Sequence, residues 1–205
     1  MKNITIFFAA LFLSGCYPTT KITGSWKIPE ISRTYHNVFV AALTGNTIAK
    51  STIENELSTA LNNKGIKTMK SMEEIPPTYG NDSISRSQLL ERVQQSGSDA
   101  ILTISLLKKE TESRYVSGNY APVSRWDYYN SFGGYYNHWY PYAYSPGYYQ
   151  KDNVYYLETN LYDTKKEVLL WSAQSRTYSY ESLQALSKEY AAVVVDQMIR
   201  EKVIM

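Results

Sequence analysis

Cysteine occurs once in this chain, at position 16, and histidine twice, at His36 and His138. A single thiol excludes an intrachain disulfide and a cysteine-rich zinc site. The two histidines lie far apart with no HExxH arrangement, so a histidine zinc site has no support either. GxSxG, Walker and GxGxxG patterns are missing, and Gly133-Gly134 reads as a flexible joint, not a phosphate cradle. An excess of either charge is also missing: 21 Lys and Arg face 19 Asp and Glu, which removes the electrostatic case for nucleic acid or an anionic surface as partner. Beyond the first fifteen residues no apolar run approaches the roughly 20 residues that a membrane-spanning helix needs. These absences lead to an expectation of no cofactor, no metal, no small-molecule substrate and no catalysis.

What is present begins at the N-terminus. Lys2 is followed by the apolar run Ile4 to Leu13, broken only by Thr5 and too short to span a bilayer. That combination reads as an export signal. The run ends at Leu13-Ser14-Gly15-Cys16, which resembles the lipobox of bacterial lipoproteins, where the cysteine is acylated and becomes the new N-terminus. The resemblance implies a signal peptide over residues 1–15, lipidation of Cys16 and a lasting anchor, since two or more acyl chains hold firmly where one binds only marginally. Position 17 is Tyr, not the aspartate that commonly retains such proteins at the inner membrane. The expected location is therefore the bacterial cell envelope, lipid-anchored at the outer membrane and facing the periplasm.

Residues 16–36 read as a tether, because Pro18, Gly24 and Pro29 interrupt a polar stretch, with Trp26 placed to dock on the body. A single α/β domain follows over residues 37–205. Val38 to Leu43 is a strand, and Ile53, Leu57, Ala60 and Leu61 then mark one face of a helix. That helix starts at a capping box, Ser51 to Glu54, or earlier at Asn46 or Thr47, and Gly65 sits where a left-handed cap belongs. A short strand over Ile66 to Met69 completes a βαβ unit. A second helix runs from Ser85 to Gly97, and Asp99 to Leu107 is the strongest strand, apolar at nearly every position as in a central parallel strand. It is placed to project toward Tyr115. Val154 to Tyr162 and Glu167 to Thr177 form a hairpin around Asp163-Thr164-Lys165-Lys166, with Asp163 in a turn role. A helix over Glu181 to Val203 closes the chain. The expectation is a mixed sheet of about five strands, a βαβαβ half followed by an antiparallel hairpin and a C-terminal helix.

The segment Leu157 to Lys165, with its Leu161-Tyr162-Asp163 core, and the later Leu170-Trp171-Ser172-Ala173 resemble a family of bacterial lipoproteins defined only by a domain of unknown function. There is a more distant similarity to the periplasmic domains of curli-secretion-type lipoproteins, which often form rings. Neither resemblance brings catalytic residues. Both imply an envelope lipoprotein.

The chain's most unusual stretch is Tyr120 to Tyr156, with 12 of the 20 tyrosines. Its glycine, proline, serine and asparagine oppose helix and long strand, so it reads as a projecting loop inserted at about 117–153. Three readings apply: an aromatic insertion without a ligand, an interface for an envelope protein or for self-association, and stacking on sugar rings by a glycan-binding module. The candidate contact residues are Trp126, Tyr128, Tyr129, Tyr135, Tyr136, Trp139 and Tyr140. Asp127 and His138 form a chance polar pair in this stretch. The expected function is a structural or protein-interaction role for a lipid-anchored envelope protein, with glycan binding as the alternative.

Overall fold

The computed structural model describes residues 19–31, 33–75, 86–118, 131–143, 147–179 and 182–204. In chain order the elements are β1 (Thr20–Lys27), β2 (Asn37–Leu43), α1 (Thr47–Asn62), β3 (Lys67–Lys70), α2 (Ser71–Glu74), α3 (Arg86–Gln95), β4 (Ala100–Val116), α4 (Phe132–Ala143), β5 (Tyr148–Asp163), β6 (Leu169–Ser179) and α5 (Leu183–Arg200). The strands form one six-stranded sheet in the order β1-β6-β5-β4-β2-β3. β3 and β4 flank β2 in parallel, and the β4, β5, β6 and β1 pairs are antiparallel. The fold class is therefore the mixed α/β arrangement expected from the alternation of periods.

Local sequence explains the parallel half. Asn46 caps α1, its side chain accepting from the Ala49 N–H, and supplies the earlier of the two expected starts. Gly65 and Gly97 end α1 and α3 at φ +81° and +72°, in the left-handed region that glycine enters without a Cβ clash. α1 and α5 lie on one face of the sheet, where Val38, Val40, Leu102, Leu161 and Trp171 meet Leu57, Leu61, Tyr190, Val194 and Met198. The other face holds a smaller cluster, in which Phe39 and Ala41 of β2 and Val93 of α3 pack with Met69, Ile75 and Ile101.

Two expectations need correction. The first concerns the stretch expected as tether, which contains β1, the outer strand of the sheet, paired with β6 from Thr20↔Thr177 to Lys27↔Trp171. β1 makes the sheet six-stranded. It is held by sequence-distant partners: Glu189 of α5 accepts from the Thr20 N–H (2.8 Å) and the Thr19 hydroxyl (2.6 Å). Trp26 is 51% exposed and does not dock. The second correction concerns the Tyr-rich loop. β4 runs without a break to Val116, β5 starts at Tyr148, and α4 lies between them.

Asp163 has the turn role expected of it and more. Its Oδ1 accepts from the backbone N–H groups of Lys165 (2.9 Å) and Lys166 (2.8 Å), and its Oδ2 meets the Tyr35 hydroxyl (3.1 Å) and Arg33 (2.9 Å). Burial works to raise its pKa. The Lys166 N–H, the Tyr35 hydroxyl, the Lys165 N–H and the Arg33 charge outweigh that and hold the carboxyl below the usual aspartate range.

Candidate functional site

The long β4–β5 ladder generates the site. The two strands pair from Ala100↔Asp163 to Val116↔Tyr148, whereas β2 stops opposite Ser105 and β6 opposite Asn153. Past Asn153 the sheet is therefore, among the described residues, a two-stranded arm. Such a ribbon is marginal alone in water, and local contacts support it: the Tyr115 and Tyr149 rings lie 5.3 Å apart, and Arg114 approaches Asp152 at 3.6 Å. At the arm's base Glu112 takes both Arg176 and the Tyr178 hydroxyl from β6. The edge of β4 that β2 leaves open carries Lys108, Lys109, Glu110 and Arg114, charges that oppose pairing with a foreign strand. At the tip a Cβ on Gly147 would run into the Tyr115 ring and stand 2.6 Å from the Val116 carbonyl oxygen, so only glycine fits.

α4 leads into this tip. Phe132, Tyr135, Tyr136, Trp139 and Tyr140 recur at i, i+3, i+4, i+7 and i+8, which places all five on one helical face. Their rings form two rows: Phe132 with Tyr136 at 5.8 Å and Tyr136 with Tyr140 at 5.1 Å, beside Tyr135 with Trp139 at 6.1 Å. His138 meets Trp139 edge-on at 5.4 Å. Phe132 is 81% exposed, and Tyr135, Tyr136 and Tyr140 are all exposed; Tyr115, Tyr148 and Tyr149 add exposed rings on the arm. Of the residues expected to make contacts, the structure thus gathers Tyr135, Tyr136, Trp139 and Tyr140 on one helix. Trp126, Tyr128, Tyr129, Asp127 and Cys16 lie outside the described residues. Sequence reasoning passed over Phe132, Tyr115, Tyr148 and Tyr149. The three-and-four spacing from Phe132 was the signal for the first, masked by Gly133-Gly134 and Pro141.

Elsewhere, two apolar clefts open on the sheet. One, of about 350 Å³, lies at the carboxyl end of β2 beside the middle of β4, among Leu43, Ile53, Leu106, Tyr155, Leu157 and Leu186. The other, of about 380 Å³, lies on the opposite face, where Phe39, Val93 and Ile101 meet Tyr162. The buried acids are taken up by structural partners. Glu54 accepts from the Ala42 N–H (2.9 Å), the Ser71 hydroxyl (2.6 Å) and the Met72 N–H (3.0 Å), and Asp152 faces Arg114. Among the described residues no group of three His, Cys, Asp or Glu side chains is placed to hold a metal ion. No helix among them is long and apolar enough to cross a membrane.

No family model matches the chain, and no curated protein matches it in sequence. Solved structures with a similar layout include two bacterial proteins. A PelC dodecamer from Paraburkholderia phytofirmans is 12% identical, with 86% of this chain and 95% of that one covered at a TM-score of 0.47. Lipoprotein GNA1162 from Neisseria meningitidis is 14% identical, with 80% and 98% covered at a TM-score of 0.41. At those values the words dodecamer and lipoprotein describe those proteins alone.

Proposed function

We propose that this protein is a lipid-anchored component of the bacterial cell envelope, facing the periplasm from the outer membrane, with a structural or interaction role and no catalysis. Leu13-Ser14-Gly15-Cys16 supports the anchor. The interaction role rests on one observation: the exposed aromatic face of α4, in the segment that joins the two strands of an arm that leaves the body of the sheet. Exposed rings in such number present large contact area at low conformational entropy, as at recognition surfaces.

The test has two arms. Cys16→Ala should abolish acyl incorporation and release the chain from the membrane fraction. A photocrosslinking residue at Tyr136 of the lipidated chain should give discrete envelope adducts that the same residue at Lys165 does not. Acyl-free protein would refute the anchor, and equal adduct patterns at the two positions would refute the role of the arm.

A further inference from the structure

The position of β1 bears on what the arm touches. Thr19 and the arm's base lie at the same end of the sheet. The Tyr178 N–H donates to the Thr19 carbonyl (2.9 Å), and Tyr178 pairs with Val154, which pairs with Glu110. From Glu110, β4 continues to Val116, about 20 Å at ~3.3 Å per residue, the outer part of it as the two-stranded arm. Cys16 precedes Thr19 by three Cα steps, at most about 11 Å of extended chain. An anchor at Cys16 therefore holds the bilayer surface within about 11 Å of the level from which β4 runs a further 20 Å. Upright, the tip of the arm would pass the surface by at least about 9 Å, which brings it to the depth of about 5–10 Å at which interfacial helices settle.

The chemistry of this end suits such a surface. Tyrosine and tryptophan are enriched at the level of lipid headgroups, where an aromatic body is buried and a hydroxyl or indole N–H stays wet. Leu43, Ile48, Leu106, Leu107 and Leu183 are also exposed, all in elements that reach the same end. At the opposite end the β5–β6 turn presents Lys165, Lys166 and Glu167 to solvent. α4 itself has only twelve residues, with Gly133, Gly134 and an internal Pro141, a composition that does not sustain a helix alone in water. Its exposed rings, Phe132, Tyr135, Tyr136 and Tyr140, share one face.

We infer that the aromatic arm, the β4–β5 tip together with α4, is a foot that rests on the phospholipid headgroup layer of the leaflet holding Cys16. The inference relies on the anchor proposed above and names the arm's partner as lipid. The sole cysteine of the chain is at position 16, and in the lipid-anchored chain its sulfur is taken up by the anchor, which makes site labelling direct. A nitroxide is placed on Tyr136→Cys, on Tyr140→Cys and, at the far end of the sheet, on Lys165→Cys. Each lipidated full chain is incorporated into vesicles of phosphatidylethanolamine with phosphatidylglycerol. Collision with oxygen and with a water-soluble nickel chelate is then measured.

The expected result is a several-fold lower nickel-chelate accessibility at positions 136 and 140 than at 165, with raised oxygen accessibility. If the protein floats with the vesicles and all three labels are equally open to the chelate, the inference fails while the anchor stands. If the mass of the chain carries no acyl groups and it does not float, the anchor and the inference fail together. Crosslinks from Tyr136 that end on a protein and not on lipid also overturn it.

Discussion

Glu54 is fully buried, and its carboxylate holds three elements together: the end of β2 through the Ala42 N–H, and the β3–α2 junction through the Ser71 hydroxyl and Met72 N–H. Glu54→Leu removes every acceptor and leaves those donors in place. An orphaned buried donor costs about 1–3 kcal/mol. The Ser71 hydroxyl can turn elsewhere and Met72 is only half-buried, so the full penalty falls on the Ala42 N–H. The sum is about 4 kcal/mol, less about 1 kcal/mol recovered from the added apolar surface. A net loss of about 3 kcal/mol, with a urea slope of roughly 2 kcal/mol/M, lowers the unfolding midpoint by about 1.5 M at unchanged slope.

Glu54→Gln keeps one acceptor oxygen and should lose about half as much. Ser71→Ala should be destabilising in the parent and nearly neutral in the Glu54→Leu background, because the two groups share one hydrogen bond. Denaturant unfolding followed by tryptophan fluorescence measures the parent and all four variants. A Glu54→Leu protein as stable as the parent, or more stable, would refute the reasoning and show that desolvation of the carboxylate outweighs its three bonds.

Trp171 is fully buried and its indole N–H donates to Glu201 Oε2 at 2.6 Å; Trp171→Phe keeps an aromatic ring but drops the donor, and should lower stability by about 2 kcal/mol in the same assay. Asp163 is held below its unfolded value of about 3.9, so its stabilisation is complete above that value and is lost as pH falls through the lower folded one. Thermal midpoints measured against pH should accordingly fall less steeply below about pH 4 in Asp163→Asn than in the parent, and parallel curves would rule this out. Gly147→Ala drives a methyl into Tyr115 and the Val116 carbonyl; limited proteolysis should cut the arm faster while the thermal midpoint of the body stays unchanged.

The parallel half of the fold was legible because its signals are local and strong. Val38 to Leu43 and Ala100 to Leu107 are apolar runs bounded by polar or turn residues, and Asn46 and Gly65 mark the ends of α1 by the side-chain and backbone chemistry of caps. The antiparallel hairpin was legible from its alternation and from Asp163. β1 was not. As an outer strand it buries few positions, chiefly Thr20, and it is fixed by Glu189 and Thr177, partners more than 150 residues away that no local window contains. α4 was obscured for a different reason. Gly133, Gly134 and Pro141 signal a break, while the five aromatics signal a helical face, and the two local signals oppose each other. The aromatic character of the site was therefore readable, whereas its setting, a helix in the connection of a two-stranded arm, followed from the unusual length of the β4–β5 ladder.

The pairing of β1 with β6 has a mechanical consequence. β1 begins at Thr20 and is joined to β6 by seven paired positions and to α5 through Glu189. A pull on its N-terminal end along the strand axis loads those ladder bonds in parallel, as a lap joint loaded in shear, and does not open them one after another as a zipper does. The anchor proposed upstream of β1 would thus hold the domain by a joint that resists withdrawal along that axis, and the first bonds to feel the load would be those that Thr19 and Thr20 donate to Glu189.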